Sequence, residues 1–457
     1  MKKDSIYQYI YIFYSFVFAL SIMNVFIESD VINYIIGILA IIMVIVSFSR
    51  ASRLFKILSG SFLLIGGYIY FSSGESLLAL PSILTNNMLL LALLCMLPWM
   101  NSIVRSGRFD RTINELMRVN VSDLGKLYTR SSATTLILAA FLNLSAATIS
   151  QSVLKDTLSD IDKKVKKSFI SLSTLRGFSL ALVWSPLEIL LATSISVTGV
   201  SYGAILPWLL LIVAIVFTVD AIWGRFHFKK YSYINDEPVK EKVTNNKDLR
   251  KKIVHLATAL ILFLTLVIVI GNLFNLDFSL TVTLLILPFS FVWSIIMKRR
   301  KTFWTIGWNS WKEKTNTMQN FILLFISLSL FSYSIGNTTF LEVIQEPLMT
   351  ISEYPLLIFF LIQIVFIFLS MFGIHPLGTI GILGSLLTTL LNFYNPLSIA
   401  IVMVTSAVAT LTVGTYGLVV TLTSMNLDYS PYRITLSNLV YSLLYGGVGS
   451  LVAYFLL

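Results

Sequence analysis

The stretch Ser131-Ser132-Ala133-Thr134-Thr135-Leu136-Ile137-Leu138-Ala139-Ala140-Phe141-Leu142-Asn143-Leu144-Ser145-Ala146-Ala147-Thr148-Ile149-Ser150 decides how this chain folds. It is apolar and long enough to cross a bilayer once, since about 20 residues rising about 1.5 Å each span a hydrocarbon core about 30 Å thick. Yet Arg130 precedes it, and Lys155, Lys163, Lys164, Lys166 and Lys167 follow it. Lys and Arg beside a membrane segment stay on the cytoplasmic side, so both ends lie inside and a single crossing is excluded. Small and hydroxyl side chains are frequent in it. The stretch reads as a re-entrant hairpin over 131–153 that enters from the cytoplasm and turns at Asn143-Leu144-Ser145. Non-helical backbone at that depth is stable only where protein or a watery cavity surrounds it.

The rest of the chain sets this hairpin among membrane spans. Of 457 residues 56% are hydrophobic and 12% charged, against about 25% charged in a soluble chain. That excludes a soluble globular protein. Apolar runs at 7–27, 32–50, 54–72, 78–104, 171–197, 203–224, 252–271, 278–298, 319–341, 396–425 and 433–456 read as 11 transmembrane helices. The first lacks a small-residue cleavage site and reads as a retained helix. Basic residues gather at Arg50 to Lys56, Arg105 to Arg130, Lys155 to Arg176, Arg225 to Lys252, Lys298 to Lys314 and Arg433, whereas Glu28, Asp30, Glu75, Asp277, Glu342, Glu346 and Glu353 lie in loops with acids only. All 33 Lys and Arg then fall on the cytoplasmic side, with the N-terminus in and the C-terminus out. The net charge of +11 is thereby a record of membrane sidedness in the plasma membrane and needs no nucleic-acid partner. A single cysteine, Cys95, excludes an intramolecular disulfide, and three histidines leave no His cluster for a metal.

A second apolar stretch, 355–391, has no Lys or Arg on either flank and is too long for one span. It reads as two helices meeting at Gly373-Ile374-His375-Pro376, with both ends outside. From residue 31 the chain then repeats one plan of three spans, a hairpin, an interrupted span and a closing span, at an offset near 229 residues. The first half-unit is 31–224, with hairpin 131–153 and a helix 171–197 broken at Ser185-Pro186. The second is 252–457, with hairpin 355–391 and a helix 396–425 broken at Gly414-Thr415-Tyr416-Gly417. Residues 1–30 form an extra helix, and 225–251 a polar cytoplasmic linker. One hairpin opens inward and the other outward, so the halves are inverted, the arrangement of a secondary transporter.

On these hairpins and breaks the chain resembles the ion transporter superfamily, which includes the divalent anion/sodium symporters and the large membrane subunits of TRAP transporters. The resemblance is architectural and covers residues 30–457. It implies substrate and sodium sites at the hairpin tips and broken helices, a scaffold that forms a homodimer, and elevator-type alternating access. The dicarboxylate branch resembles a Ser-Asn-Thr pattern at each tip, whereas these tips read Asn143-Leu144-Ser145 and Gly373-Ile374-His375-Pro376. Dicarboxylate specificity is therefore not implied.

Glu188, two positions past Pro186, reads as the one acid well inside a span. A carboxylate at the bilayer centre costs about 2.5–3.5 kcal/mol on insertion scales, so it faces a cavity or a partner. Either it couples a sodium ion or proton, with Ser185 and the carbonyls freed at Pro186, or it is a structural carboxylate bonded to a hydroxyl or backbone N–H. His375 either donates to an anionic solute or binds local backbone. Asn143, Ser145, Thr148, Thr379, Thr415 and Tyr416 are further candidate substrate contacts, and Thr412 and Gly414 candidate ion contacts; small-residue helix packing is the other reading of such residues. No other cofactor is expected. The segments 105–130, with Arg108, Arg111 and Arg118 among Ile113, Leu116 and Met117, and 299–318, with Phe303, Trp304, Trp308 and Trp311, read as interfacial helices.

The function that emerges is an ion-coupled transporter of a small anionic solute, not an enzyme. The competing reading is a membrane enzyme or polymer-handling protein, such as a glycan polymerase or lipid-linked sugar transferase. The loops read as extracellular carry no Arg and no DxD, the chain has no HExxH and no P-loop, and the one DxD, Asp160-Ile161-Asp162, lies in a loop read as cytoplasmic.

Overall fold

A computed structural model describes residues 8–109, 123–159, 161–231, 246–336 and 353–457. Positions 1–7, the amphipathic residues Arg111, Ile113, Leu116, Met117 and Arg118, linker positions 232–245, and Glu342 and Glu346 lie outside them. The regular elements are helices: α1 (Ile10–Ile27), α2 (Asp30–Arg50), α3 (Arg53–Ser72), α4 (Leu80–Ile83), α5 (Met88–Ser106), α6 (Leu124–Leu142), α7 (Leu144–Thr157), α8 (Lys163–Leu182), α9 (Ile189–Thr198) and α10 (Tyr202–Phe228). After the linker come α11 (Asn246–Phe274), α12 (Phe278–Ile296), α13 (Arg300–Asn316), α14 (Gln319–Gly336), α15 (Pro355–Met371), α16 (Pro376–Leu390), α17 (Pro396–Ala409), α18 (Leu418–Leu427) and α19 (Pro431–Tyr454). In this second set α15, α16, α17 and α19 begin on proline, where its missing N–H is no loss because a first-turn N–H has no helical acceptor.

Eight helices among the described residues are long and apolar enough to cross a membrane: α1, α2, α3, α5, α10, α11, α12 and α19. The bent pair α13 and α14, 55° apart, makes a ninth if it is one span. Eleven is reached only by adding 171–197 and 396–425, and both are divided. In the first, α8 carries Lys163, Lys164, Lys166, Lys167 and Arg176 and α9 has 10 residues; in the second, α17 has 14 and α18 has 10. The starts of α9 and α18, at Ile189 and Leu418, and of α10 and α19, at Tyr202 and Pro431, are each 229 residues apart.

The first predicted hairpin is the pair α6 and α7, longer at both ends than 131–153. Its break is a single residue, Asn143, at φ 45°, a region that asparagine enters more readily than most residues. The two ends of the pair meet: Leu124, Leu127 and Tyr128 share one buried cluster with Leu154 and Leu158. The arm α6 lies directly on α8, because a Cβ on Gly177 would collide with the Ser132 carbonyl. In the second pair, α15 and α16, Phe359 near the start and Tyr394 just past the end have ring centroids 5.5 Å apart. Its break holds Gly373 at φ 91°, which only glycine adopts freely. The 299–318 segment folds as α13, but its aromatic face is only partly free: Trp99 of α5 packs on Phe303, Trp304 and Trp311 at 5.6, 5.2 and 6.4 Å.

Candidate functional site

The tip of the first hairpin and the break between α8 and α9 are tied together side chain to side chain. Pro186 has no N–H to continue a helix, and the break leaves the first N–H groups of α9 without helical acceptors. Glu188 answers one of them, accepting from Leu190 N at 3.4 Å as the N-cap of α9. Its other oxygen accepts from Asn143 Nδ2 at 3.1 Å. Ser185 Oγ donates to the Ala140 carbonyl at 3.0 Å and accepts from Leu187 N at 3.3 Å. Thus Ser185 and Glu188 of the break grip the last turn and the tip of the hairpin. Glu188 is 5% exposed, and both of its sequence readings meet here: it is a cap, and it is a buried carboxylate with lone pairs to spare, having about four acceptor sites and, in Asn143 and Leu190, two donors.

Against this clasp lies a cavity of about 440 Å³. Asn143, Ser145 and Thr148 of the tip line it, with Leu187 from the break and Leu422 from α18. Asn101 of α5, and Lys314 and Thr317 at the bend between α13 and α14, complete its polar surface. Arg105 donates to Ser145 Oγ at 3.1 Å, and Thr148 Oγ1 donates to the Ser145 carbonyl at 3.0 Å. Leu94, Leu97, Phe141 and Phe321 form apolar walls. Among the described residues no Asp or Glu lines it, so the cavity presents one cation, Lys314, with amides and hydroxyls among apolar walls. Such a surface holds an anion through charge-assisted hydrogen bonds.

The other predicted residues lie elsewhere. His375 Nδ1 accepts from Leu377 N at 3.2 Å and so caps α16. It is one ring removed from the cavity, packing on the lining residue Phe321 with centroids 6.3 Å apart. Thr379 is fully buried, its hydroxyl without a partner among the described residues. Thr412 donates to the Ala409 carbonyl at 3.0 Å, and Gly414 lies against Ser370. Thr415 bonds Thr435 at 3.0 Å, and Tyr416, 59% exposed, bonds the Tyr432 hydroxyl at 2.7 Å. None of these second-break residues lines the cavity. The first tip and first break converge at this cavity, and the second-break residues lie outside its lining.

Two expectations need correction. Glu188 is not the only acid within a span, since Asp220 of α10 is 3% exposed. Nor does Arg176 lie in a cytoplasmic loop: it is buried in α8 with its guanidinium 2.7 Å from Asp220 Oδ1. Tyr128 of the hairpin donates to both Asp220 oxygens, at 3.1 Å each, and Arg176 also donates to Asn438 Oδ1 and the Ser437 carbonyl of α19, at 3.1 and 3.0 Å. Trp223 and Tyr441 stack on the guanidinium. Sequence reading also missed Asn101, Arg105, Lys314 and Thr317; Lys314 and Arg105 carried only a sidedness signal. Among the described residues no three His, Cys, Asp or Glu side chains come together as a metal site would need.

No protein-family model matches this chain, and no curated protein matches it. Among solved structures it is similar to the Alcanivorax borkumensis YdaH transporter, whose crystal structure is described as revealing an unusual topology. The likeness has 14% identity and a TM-score of 0.62, and covers 88% of this chain and 97% of that one. At that identity it speaks for the fold: this is a helical, multi-pass chain with the fold of a membrane transporter.

Proposed function

We propose that this chain is an ion-coupled secondary active transporter of a small anionic solute, driven by sodium or protons. One observation carries the reading: Asn143, which lines the cavity with Ser145, Thr148 and Lys314, also donates to the buried Glu188 carboxylate. An amide nitrogen has two N–H donors. One is engaged by Glu188, and the other is available to an anion in the cavity. A sodium ion or proton on Glu188 weakens its hold on Asn143 and frees the amide for the solute, so ion and solute favour each other's binding. Linkage of this kind is reciprocal.

The transporter fold of the A. borkumensis protein supports this reading. So does the recurrence of helix starts at 229 residues, which we take as the two inverted half-units 31–224 and 252–457. In the same proposal the protein belongs to the ion transporter superfamily, sits in the plasma membrane with its N-terminus cytoplasmic and its C-terminus outside, forms a homodimer, and moves its hairpin-bearing part as an elevator.

The cavity's lining cation, Lys314, gives the test. Lys314→Gln removes one charge-assisted contact worth about 1.5–3 kcal/mol, so KM for the transported anion rises about ten- to a hundredfold with little change in maximal rate. The measurement is initial uptake by proteoliposomes of whichever carboxylate, sugar acid or oxyanion the wild type accumulates. An unchanged KM, with equal protein in the vesicles, removes this cavity from the transport path.

A further inference from the structure

Helix α13 carries a charge pattern that the anion cavity does not use. Lys298, Arg299, Arg300 and Lys301 lead into it, all exposed and none in an ion pair among the described residues. A helix N-terminus already bears about half a positive unit charge, so these bases repel it and one another. Lys301, Trp304 and Trp308 stand at i, i+3 and i+7, on one face of the helix. Trp304 and Trp308 are 47% and 44% exposed. The opposite face is the one that packs: Phe303 lies on Trp99 of α5 at 5.6 Å, and a Cβ on Gly307 would collide with the Trp99 ring. The free face thus joins cations to indole rings. That pairing suits a bilayer's headgroup layer, where Trp rings settle at the interface and Lys and Arg meet anionic lipids.

The other end of α13 is pinned. Asn316 Oδ1 accepts from Tyr11 N at 2.8 Å, and its Nδ2 donates to the Gln8 carbonyl at 3.0 Å. The Lys312 ammonium lies over the Tyr9 and Tyr11 rings at 5.8 and 5.3 Å. Lys314, in that last turn, is the cation that lines the cavity. It stands about 20 Å from Lys301 along one continuous helix, at about 1.5 Å per residue. We infer that α13 is a docking surface for anionic phospholipid headgroups, on the leaflet that the proposed topology makes cytoplasmic, and that lipid docked there steadies Lys314 at the cavity. Trp99 holds the middle of the helix and α1 its far end, and lipid holds the end that the described protein leaves free. Solute affinity then follows lipid charge. The docking needs no transport activity, whereas its effect on the cavity rests on the anion-transport reading above.

The test compares two variants of equal net charge. The detergent-solubilised full chain is melted at rising phosphatidylglycerol, phosphatidylcholine or inorganic phosphate, as wild type, as Arg300→Gln with Lys301→Gln, and as Lys229→Gln with Lys230→Gln. The last pair removes two exposed lysines just past the end of α10. Phosphatidylglycerol should stabilise the wild type at lower concentration than phosphatidylcholine does. Each Lys or Arg at an anionic surface adds about fivefold in affinity, so the α13 variant raises the phosphatidylglycerol midpoint about twentyfold and the α10 variant leaves it unchanged. Equal stabilisation by the two lipids, equal shifts in the two variants, or the same response to inorganic phosphate overturns the docking. Proteoliposome uptake with and without phosphatidylglycerol tests the link to the cavity. A KM for the anion that falls with phosphatidylglycerol in the wild type, and not in the α13 variant, supports it; a KM that ignores the lipid overturns it. A variant-dependent melting response without uptake of any anion keeps the docking and removes the transport reading.

Discussion

Glu188→Gln is expected to lower gradient-driven solute accumulation at least tenfold while leaving the folded protein intact. The two halves of that expectation have separate physical causes. Glutamine is nearly isosteric, and its amide oxygen can still cap α9 at Leu190 N, as the carboxylate does at 3.4 Å. Its nitrogen faces Asn143, which turns its own carbonyl oxygen around to accept, so an amide pair replaces the 3.1 Å bond of the acid. Stability therefore changes little. The charge is gone, however, and with it the group that a proton or sodium ion can neutralise, so the solute no longer feels the ion gradient. A tenfold loss corresponds to about 1.4 kcal/mol of coupling. Solute exchange at equal concentrations, which needs no gradient, persists. If uptake and its sodium or pH dependence match the wild type, Glu188 is only a helix cap.

The largest stability effect is expected at the buried ion pair. Arg176 and Asp220 have side chains 6% and 1% exposed and lie 2.7 Å apart. Their neighbours belong to three elements: Tyr128 of α6, Trp223 of α10, and Asn438 and Tyr441 of α19. Removing one partner strands the other charge in an apolar interior, at a cost of about 3–5 kcal/mol. Arg176→Met is expected to lower the melting temperature sharply and to reduce the yield of monodisperse protein. Arg176→Met with Asp220→Met recovers most of that loss, because a buried pair replaced as a unit by apolar side chains is close to neutral. Thermal melts of the singles and the double in detergent give the coupling directly. A single variant as stable as wild type would mean that water reaches the pair.

What could be read from the sequence was mostly what one dimension records. The flanking charges of 131–153 placed both of its ends on one side, and Leu124 and Leu158 do share a cluster. The polar Asn143 marked the turn, and Ser185-Pro186 marked the break, because an asparagine and a proline impose local backbone geometry whatever surrounds them. Arg176 could not be read this way. It stands 13 positions into α8, about 20 Å from Lys163 at about 1.5 Å per residue, yet it follows a run of lysines and was counted with them. Asp220 was overlooked for the converse reason, as one acid within eight residues of Arg225, His227 and the end of α10. Lys314 looked interfacial, and only the 55° bend after α13 turns it and Thr317 toward the hairpin tip. The polarity of the second break, at Thr412, Thr415 and Tyr416, is answered by its own neighbours, Ala409, Thr435 and Tyr432, pairings that sequence alone does not record.

Transport itself is tested most directly by a solute panel in proteoliposomes under imposed sodium and proton gradients, with wild type and Lys314→Gln side by side. At least one small anion should accumulate above its equilibrium level in the wild type, lose that accumulation when the gradient is collapsed, and need a higher concentration to do so in Lys314→Gln. No accumulation of any anion by correctly inserted wild-type protein, under either gradient, would contradict the proposed function.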